Sequence, residues 1–235
     1  MAKKLVVVCE GDSWHRLPDF PFKYVGVGGS DFDIERGLKA RGHSVHPLAY
    51  WGDTIQEIAD RKDYLLALTA PAANLFLVDG GGNDLLKRGR LARHIKLYRK
   101  DRPIADYPKA SFHQLLDKVM DAYKVIFDDV RKHFPNMPTV CHGYDRPEPR
   151  ANGEWLSNPM VHMGIVDRDL QKQIAGHLID LLNERLSRLA SKYSKVAHVD
   201  LRGVVNGRWH DELHPRKAGF EDASALIEAQ ALKMI

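Results

Sequence analysis

The sequence predicts an α/β protein in which helices cover both faces of a parallel β-sheet. The prediction rests on two observations. Short apolar runs alternate along the 235 residues with long stretches in which apolar residues recur at helical spacing. The runs are also almost continuously apolar, which is typical of strands that are buried on both faces. Five runs are predicted to be strands: residues 5–9, 44–48, 74–78, 139–142 and 196–199.

Capping signals mark the helices between the first strands. Ser30 can cap a helix that continues to Arg41 and ends at Gly42. The segment TIQE at residues 54–57 matches a capping box, in which the threonine and glutamate side chains accept each other's backbone N–H groups. A second helix is therefore predicted to begin there.

Three longer helices follow. Ser111 opens the first, whose apolar stripe consists of Phe112, Leu115, Leu116, Val119, Tyr123, Phe127 and Val130. The second covers about residues 167–193, and its stripe consists of Leu170, Ile174, Leu178, Leu181, Leu182 and Leu189. The third begins after Pro215, a favoured residue of the first helical turn. These stripes predict packing in the core rather than a cofactor site.

One domain is predicted to cover residues 1–235. The chain is long enough to bury a substantial core, and no repeat, low-complexity tract or linker-like composition interrupts it. Two long stretches, near residues 86–109 and 144–166, are predicted to be insertions in this domain. Loops of that length in a compact domain are usually functional or mobile.

Composition and charge narrow the class of protein. The formal net charge is +4, from 35 basic against 31 acidic residues, which does not by itself indicate a nucleic-acid partner. No apolar run approaches the ~18 residues of a membrane span, and the run after Lys3 and Lys4 is shorter than the about 7–15 apolar residues of a signal peptide. We therefore expect a cytoplasmic protein, in which Cys9 and Cys141 are core thiols rather than a disulfide.

A basic segment stands out within this nearly balanced charge. Residues 85–102 contain eight lysine and arginine residues and one aspartate, while Leu91, Ile95 and Tyr98 recur at helical spacing. The pattern favours a solvated basic face. The alternative is a lid over a functional site that attracts an acidic substrate, and nucleic-acid binding is the least favoured interpretation.

Small and polar residues follow the predicted strands at the sheet edge where ligands bind in folds of this kind. Taken singly, each has an ordinary structural interpretation: a turn residue, a bend, a helix cap, or a surface acid beside a capping histidine. Together they supply every part of an acyl-transfer site. The candidates are Ser13 in GDSW, Gly52 in YWGDT, Asn83 in DGGGND, and Asp211 and His214 in WHDELHP.

The chemistry explains these residue types. A serine is a weak nucleophile until a histidine takes its proton, and that histidine needs a carboxylate to fix its tautomer. Asp211 and His214 are three residues apart, so one short loop can bring them together. The oxyanion that forms needs fixed donors, which the backbone N–H groups of Ser13 and Gly52 and the amide of Asn83 can provide.

The blocks GDSW, GDT, GGND and DELHP resemble the four sequence blocks of the SGNH hydrolases, also called GDSL-type lipases and esterases. The family is named for its Ser, Gly, Asn and His, which match Ser13, Gly52, Asn83 and His214. The resemblance spans residues 11–215 and implies a flavodoxin-like, three-layer α/β/α fold with five parallel strands.

The same resemblance implies a Ser13–Asp211–His214 catalytic triad and an oxyanion hole formed by Ser13, Gly52 and Asn83. One departure is Trp14, which stands where the family has leucine and is predicted to shape the pocket. The G-x-S-x-G motif of α/β-hydrolases is absent around Ser13, which argues against that fold.

Several other features are interpreted as structural. The segment GVGGS at residues 26–30 lacks G-x-G-x-x-G spacing, so we interpret it as a loop leading into a helix and predict no cofactor. His142 and His162 show no metal-ligand spacing, so no metal is predicted, and His142 is either a structural or a pocket residue. Trp155, Met160 and Met163 form either a pocket wall or an oligomer contact.

The predicted function is that of a serine hydrolase that cleaves a small-molecule ester through an acyl-enzyme. A thioesterase or an acyltransferase on the same triad is the alternative within enzymes. A binding module that keeps the fold without catalysis is the alternative from another class. The intact set of five candidate residues favours an enzyme. The sequence leaves the substrate and the oligomeric state open.

Overall fold

In the computed structural model, which describes residues 3–18 and 32–235, five parallel strands form one sheet with the order β2-β1-β3-β4-β5. Helices lie on both faces, so the predicted three-layer α/β/α fold is confirmed. The strands differ from the predicted ranges by at most one residue at an end. They are β1 (Val6–Glu10), β2 (Ser44–Pro47), β3 (Leu75–Val78), β4 (Thr139–His142) and β5 (Val196–Val199).

The strand order places a crevice at one edge of the sheet. The chain passes from β1 to β2 on one side and then returns to β3 on the other, so the order reverses at β1. Cys9 of β1 pairs with Pro47 of β2 and with Leu77 of β3. In open α/β sheets, ligands bind beyond the carboxyl ends of the strands at such a reversal. The segments after β1 and β3 lie at this point.

Nine α-helices are found within the described ranges. They form two groups, one in which α1 packs against α9 and one in which α6 packs against α2, α4 and α8. Their bounds are α1 (Ile34–Ala40), α2 (Ile55–Arg61), α3 (Asp63–Ala67), α4 (Gly82–Leu86), α5 (Leu91–His94), α6 (Ala110–His133), α7 (Ser157–His162), α8 (Arg168–Ala190) and α9 (Lys217–Leu232).

Helix α1 starts later than the sequence predicted. Its N-cap is Asp33, whose carboxylate accepts the backbone N–H of Arg36 at 2.8 Å. The predicted cap Ser30, like the segment 26–30, lies outside the described residues. The helix ends as expected, since Gly42 adopts a φ of +91° just beyond it.

The other helix starts agree closely with the sequence. The capping box at Thr54 and Glu57 forms with both reciprocal bonds, and α8 begins immediately after its cap, Asp167. The apolar stripe of α6 lies largely in the core, and Cys9 and Cys141 are buried free thiols. Within the described part of the chain, no helix is both long and apolar enough to cross a membrane.

The basic segment does not form one continuous helix. After the end of α4 it contains a 3₁₀ turn at Lys87–Gly89 and the single turn α5. Ile95 then leaves α5 in an extended conformation and pairs antiparallel with Pro108. Leu91 and Ile95 are buried, whereas half of Tyr98 is exposed. The helical spacing of these three residues therefore does not correspond to a continuous amphipathic helix.

Candidate active site

Ser13 lies in a tight turn directly after β1. The turn needs glycine at position 11, because a Cβ atom there would lie 1.7 Å from Asp79 Oδ1. Asp12 closes the turn: its side chain accepts the backbone N–H of Trp14 at 3.0 Å, and its carbonyl accepts that of His15 at 3.1 Å. The strand therefore ends in a rigid turn that leaves the Ser13 side chain on the crevice.

His214 and Asp211 occupy a loop between β5 and α9. One oxygen of Asp211 accepts the backbone N–H groups of Leu213 and His214, and the other lies 2.8 Å from His214 Nδ1. The opposite ring nitrogen, His214 Nε2, lies 2.9 Å from Ser13 Oγ. Ser13, His214 and Asp211 thus form one hydrogen-bonded chain, although Ser13 and His214 are 201 positions apart in the sequence.

The surroundings keep Asp211 ionised. Burial raises the pKa of its carboxyl, but the hydrogen bonds from the His214 ring and from the backbone of the loop outweigh this effect, so the pKa lies below its ordinary value. An ionised Asp211 accepts a hydrogen bond from His214 Nδ1–H. The proton is then on Nδ1, so the lone pair of His214 Nε2 is directed at the Ser13 hydroxyl. This is the arrangement that a general base needs.

Asn83 and Gly52 line the same pocket as Ser13. Asn83 lies in the first turn of α4 and is not its cap, because Gly81 holds the cap position and no side chain caps the helix. Its amide nitrogen donates one hydrogen to the Asp53 carbonyl at 2.9 Å. The second amide hydrogen is left to donate elsewhere. Gly52 adopts a φ of +85°, which favours glycine.

Solved structures with this architecture include lipases and esterases. The chain superposes on phospholipase A1 from Streptomyces albidoflavus NA297 with a TM-score of 0.62, at 17% identity over 97% of this chain and 99% of that one. The lipase Lip_vut3 from a goat rumen metagenome gives 0.60, at 18% identity over 96% and 97%. The aryl esterase of M. smegmatis gives 0.60, at 15% identity over 98% and 100%.

The chain has the SGNH-hydrolase fold. No model of a protein family matches its sequence, and no curated protein sequence is similar to it. At identities below one fifth, the superpositions establish the fold alone.

Tyr144 links two segments of the site, the turn after β1 and helix α4. Its hydroxyl donates to Asp12 Oδ2 at 2.6 Å and accepts the backbone N–H of Gly82 at 3.1 Å. It therefore connects the turn that carries Ser13 to the helix that carries Asn83. Sequence reasoning gave Tyr144 no role, although it follows β4 at the same edge of the sheet.

Glu212 is a second residue that sequence reasoning missed. Its side chain is buried, and its carboxylate accepts four backbone N–H groups at 2.9–3.1 Å: those of Arg150, Trp155, Leu156 and Ser157. The segment after β4 is thereby fastened to the loop that carries His214. The ring of Trp155 consequently lies edge-on to the His214 ring, with centroids 6.1 Å apart.

The pocket in front of Ser13 has a volume of about 300 Å³ and mainly apolar walls. The candidate pocket residues Trp14 and Trp155 both line it, and the Trp14 indole donates to the Leu213 carbonyl at 3.1 Å. Both predicted insertions contribute to its walls. The first provides Leu86 and Lys87, and the second provides Tyr144, Asp145, Pro147, Glu154 and Trp155.

Of the two roles that the sequence left open for His142, the structural one agrees with its position, because His142 does not line the pocket. It is completely buried, with Nδ1 2.7 Å from the Gly143 carbonyl oxygen and Nε2 2.8 Å from His15 Nε2. Met160 is likewise a core residue, whereas Met163 is half-buried and His162 is exposed on α7.

A buried cluster of His15, Asp79 and His142 contains potential metal ligands. His15 Nδ1 lies 3.1 Å from Asp79 Oδ1, but the opposite nitrogen, Nε2, faces His142. His15 Nδ1 also lies 2.8 Å from the Glu10 carbonyl oxygen, which only accepts hydrogen bonds, so this nitrogen carries the proton and has no lone pair for an ion. Burial lowers the pKa of both histidines, that of His142 to about 4. The cluster therefore fits a neutral hydrogen-bonded group better than a metal site.

Proposed function

We propose that this protein is a serine hydrolase that cleaves carboxylic esters of small molecules through an acyl-enzyme. The observation that carries the proposal is the hydrogen-bonded chain from Ser13 Oγ to His214 Nε2 and from His214 Nδ1 to Asp211, with distances of 2.9 and 2.8 Å. The fold supports it, because solved structures with this fold include lipases and an aryl esterase.

In the proposed first step, Ser13 Oγ attacks the ester carbonyl carbon while its proton passes to His214 Nε2. The carbonyl π bond opens, and its electron pair becomes the oxyanion. When the oxyanion collapses, the bond to the alcohol breaks, and His214 gives its proton to the departing oxygen. Asp211 stabilises the imidazolium throughout. A water molecule, activated by the same histidine, then releases the acid from Ser13.

The proposed oxyanion hole consists of the backbone N–H groups of Ser13 and Gly52 and the Asn83 amide. Its support is that all three residues line one pocket and that neighbouring bonds fix two of them. The Asn83 amide is held by the Asp53 carbonyl, and the Gly52 carbonyl accepts a hydrogen bond from Lys87 at 3.0 Å. Donors that are fixed before the reaction stabilise the charge without reorganisation.

The pocket supports a small substrate. A volume of about 300 Å³ is at the lower end of the size range of ligand pockets. The proposed chemistry requires neither metal nor cofactor. We also propose that the chain is one domain with insertions near residues 86–109 and 144–166, and that it acts in the cytoplasm, where its two buried thiols remain reduced.

The test is hydrolysis of 4-nitrophenyl esters from acetate to decanoate by the wild-type protein and by Ser13→Ala. We expect release of 4-nitrophenol that favours short acyl chains and that Ser13→Ala reduces at least about 10³-fold. Thioesters with the same acyl groups, and an alcohol as a competing acceptor, separate the thioesterase and acyltransferase alternatives. Folded wild-type protein that is no faster than Ser13→Ala on every substrate would reject the proposal and favour a binding module.

A further inference from the structure

Lys87 contributes a positive charge to a pocket whose walls are mainly apolar. Among the described side chains that line the pocket, it is the only lysine or arginine. Its half-buried side chain extends from the end of α4, and its ammonium donates to the Gly52 carbonyl at 3.0 Å. The charge is therefore held beside the candidate oxyanion hole rather than free in solvent.

The ammonium group of Lys87 has unused capacity. It carries three hydrogens, and the bond to Gly52 uses one of them. No carboxylate in the described part of the chain forms an ion pair with it. Glu57 is the acid whose pKa it affects, but the hydrogen bonds from Thr54 lower that pKa more, and the Glu57 carboxylate is engaged in the capping box.

The acids around the pocket are, by contrast, already provided with donors. The Asp12 carboxylate accepts two hydrogen bonds, that of Asp145 accepts three from backbone N–H groups, and Asp211 is bound to His214. Glu154 is exposed at the rim. A positive group without an ionic partner, fixed between apolar walls, attracts an anion more strongly than a surface lysine does.

We propose that Lys87 binds an anionic group on the substrate, so that the preferred substrates are esters carrying a carboxylate or a similar negative charge. The inference deepens the proposed ester hydrolysis and rests on it. It also assigns a role to the start of the basic segment: Lys87 faces the pocket, whereas Lys96, Arg99 and Lys100 are exposed and do not line it.

A purely structural role for Lys87 predicts a different result. If its bond to the Gly52 carbonyl only orders that loop, then removing the ammonium slows the hydrolysis of charged and neutral esters by the same factor. If Lys87 binds an anion, the rate of hydrolysis falls more for the charged ester than for the neutral one. The ratio of the two rates therefore separates the roles, even when the variant is generally less active.

The experiment compares kcat/KM for two pairs of esters, one pair charged on the acyl side and one on the alcohol side. The pairs are mono-4-nitrophenyl adipate with 4-nitrophenyl heptanoate, and 4-acetoxybenzoate with phenyl acetate. We expect Lys87→Met to lower the charged-to-neutral ratio at least tenfold for one pair, mainly through KM, and Lys87→Arg to retain most of it. A ratio unchanged by Lys87→Met in both pairs would overturn the inference.

Lys100→Met is the matched control, because it removes the same charge from the exposed part of the segment and should leave both ratios within about twofold. A charged-to-neutral ratio that falls as far in this control as in Lys87→Met would mean that long-range attraction, not Lys87, selects the anion. That result would overturn the inference.

A binding measurement keeps the two proposals apart if no ester is turned over. Calorimetric titration of Ser13→Ala with monomethyl adipate requires no chemistry. Binding at least tenfold weaker in Ser13→Ala/Lys87→Met supports the anion site even if hydrolysis fails. Equal affinity in the two variants, or no binding to either, rejects the anion site and leaves the proposed hydrolysis to its own test.

Discussion

The loop that carries His214 and the turn that carries Ser13 are both built around buried acids, but these acids are satisfied to different degrees. On the His214 side, Glu212 accepts four backbone N–H groups, and Asp145 accepts those of Arg146, Gly203 and Val205. Each carboxylate there has donors for both oxygens.

On the Ser13 side, three acids lie close together with fewer donors. Burial raises the pKa values of Glu10, Asp12 and Asp79, that of Glu10 to about 7, and one Asp79 oxygen is buried without a hydrogen-bond partner. The comparison teaches that hydrogen bonding holds the proposed base, whereas beside the turn of the proposed nucleophile burial raises the pKa values of the carboxyls, that of Glu10 to about 7. We expect pH to affect the Ser13 side first.

Asn83 gives the largest expected effect and tests the Ser13 side directly. If its amide donates to the oxyanion, Asn83→Ala lowers kcat by about 10²–10³, or roughly 3–4 kcal/mol, with little change in KM. Because Asn83 does not cap α4, the melting temperature should change little. A near-normal kcat would leave the oxyanion to the backbone donors of Ser13 and Gly52.

Glu212 tests the His214 side. In Glu212→Gln, an NH₂ group replaces one carboxylate oxygen, so two buried backbone N–H groups lose their acceptor, which costs about 3 kcal/mol of unfolding free energy. Chemical denaturation measures this loss. Glu154→Gln, at the exposed rim of the same pocket, is the control and should change stability by less than about 0.5 kcal/mol. Equal stability of the two variants would show that the four bonds do not fasten the loop.

Glu10 tests the expected pH dependence. Burial raises its pKa to about 7 in the folded protein, so the stability that is present while Glu10 is protonated falls as the pH rises from about 4.5 through about 7. Glu10→Gln does not titrate. Relative to wild type, the variant should therefore gain on the order of 2 kcal/mol in unfolding free energy between pH 5 and pH 8. A difference that stays constant with pH would contradict this account.

Tyr144 tests the connection between the Ser13 turn and α4, and it gives the smallest effect. Tyr144→Phe keeps the ring but removes the bonds to Asp12 and Gly82, so kcat should fall about tenfold while KM is retained. Tyr123→Phe is the matched control, because that buried hydroxyl donates only to the Gly80 carbonyl. It should lower the melting temperature without lowering kcat. Equal kcat losses in both variants would indicate a general packing effect.

Local periodicity in the sequence was sufficient to predict the five strands and the edge of the sheet that carries the candidate site. All five strands were found within one residue of their bounds, and the candidates after the strands come together because parallel strands bring their carboxyl ends to one edge. Ser13 and His214 were recognisable as candidates because the proposed chemistry needs specific residue types. Asn83 was assigned on the same basis.

The residues that hold the site were not predictable in the same way. Glu212 binds backbone N–H groups 55–62 positions away, and the residue types that supply those groups are arbitrary. Tyr144 likewise acts on a backbone N–H and on a carboxylate in distant segments. The sequence left two roles open for His142, because periodicity does not reveal which way the last residue of a strand points. In the basic segment, pairing of Ile95 with Pro108 overrode the helical spacing.

The most direct test of the central claim is labelling by a fluorophosphonate, which modifies a serine only when a base activates it. Intact-mass analysis of the wild-type protein should show one adduct, and peptide mapping should place it on Ser13. Asp211→Asn should label far more slowly, because His214 loses the carboxylate that fixes its tautomer. An adduct on another serine, or no adduct on folded wild-type protein, would contradict the assignment of Ser13 as the nucleophile.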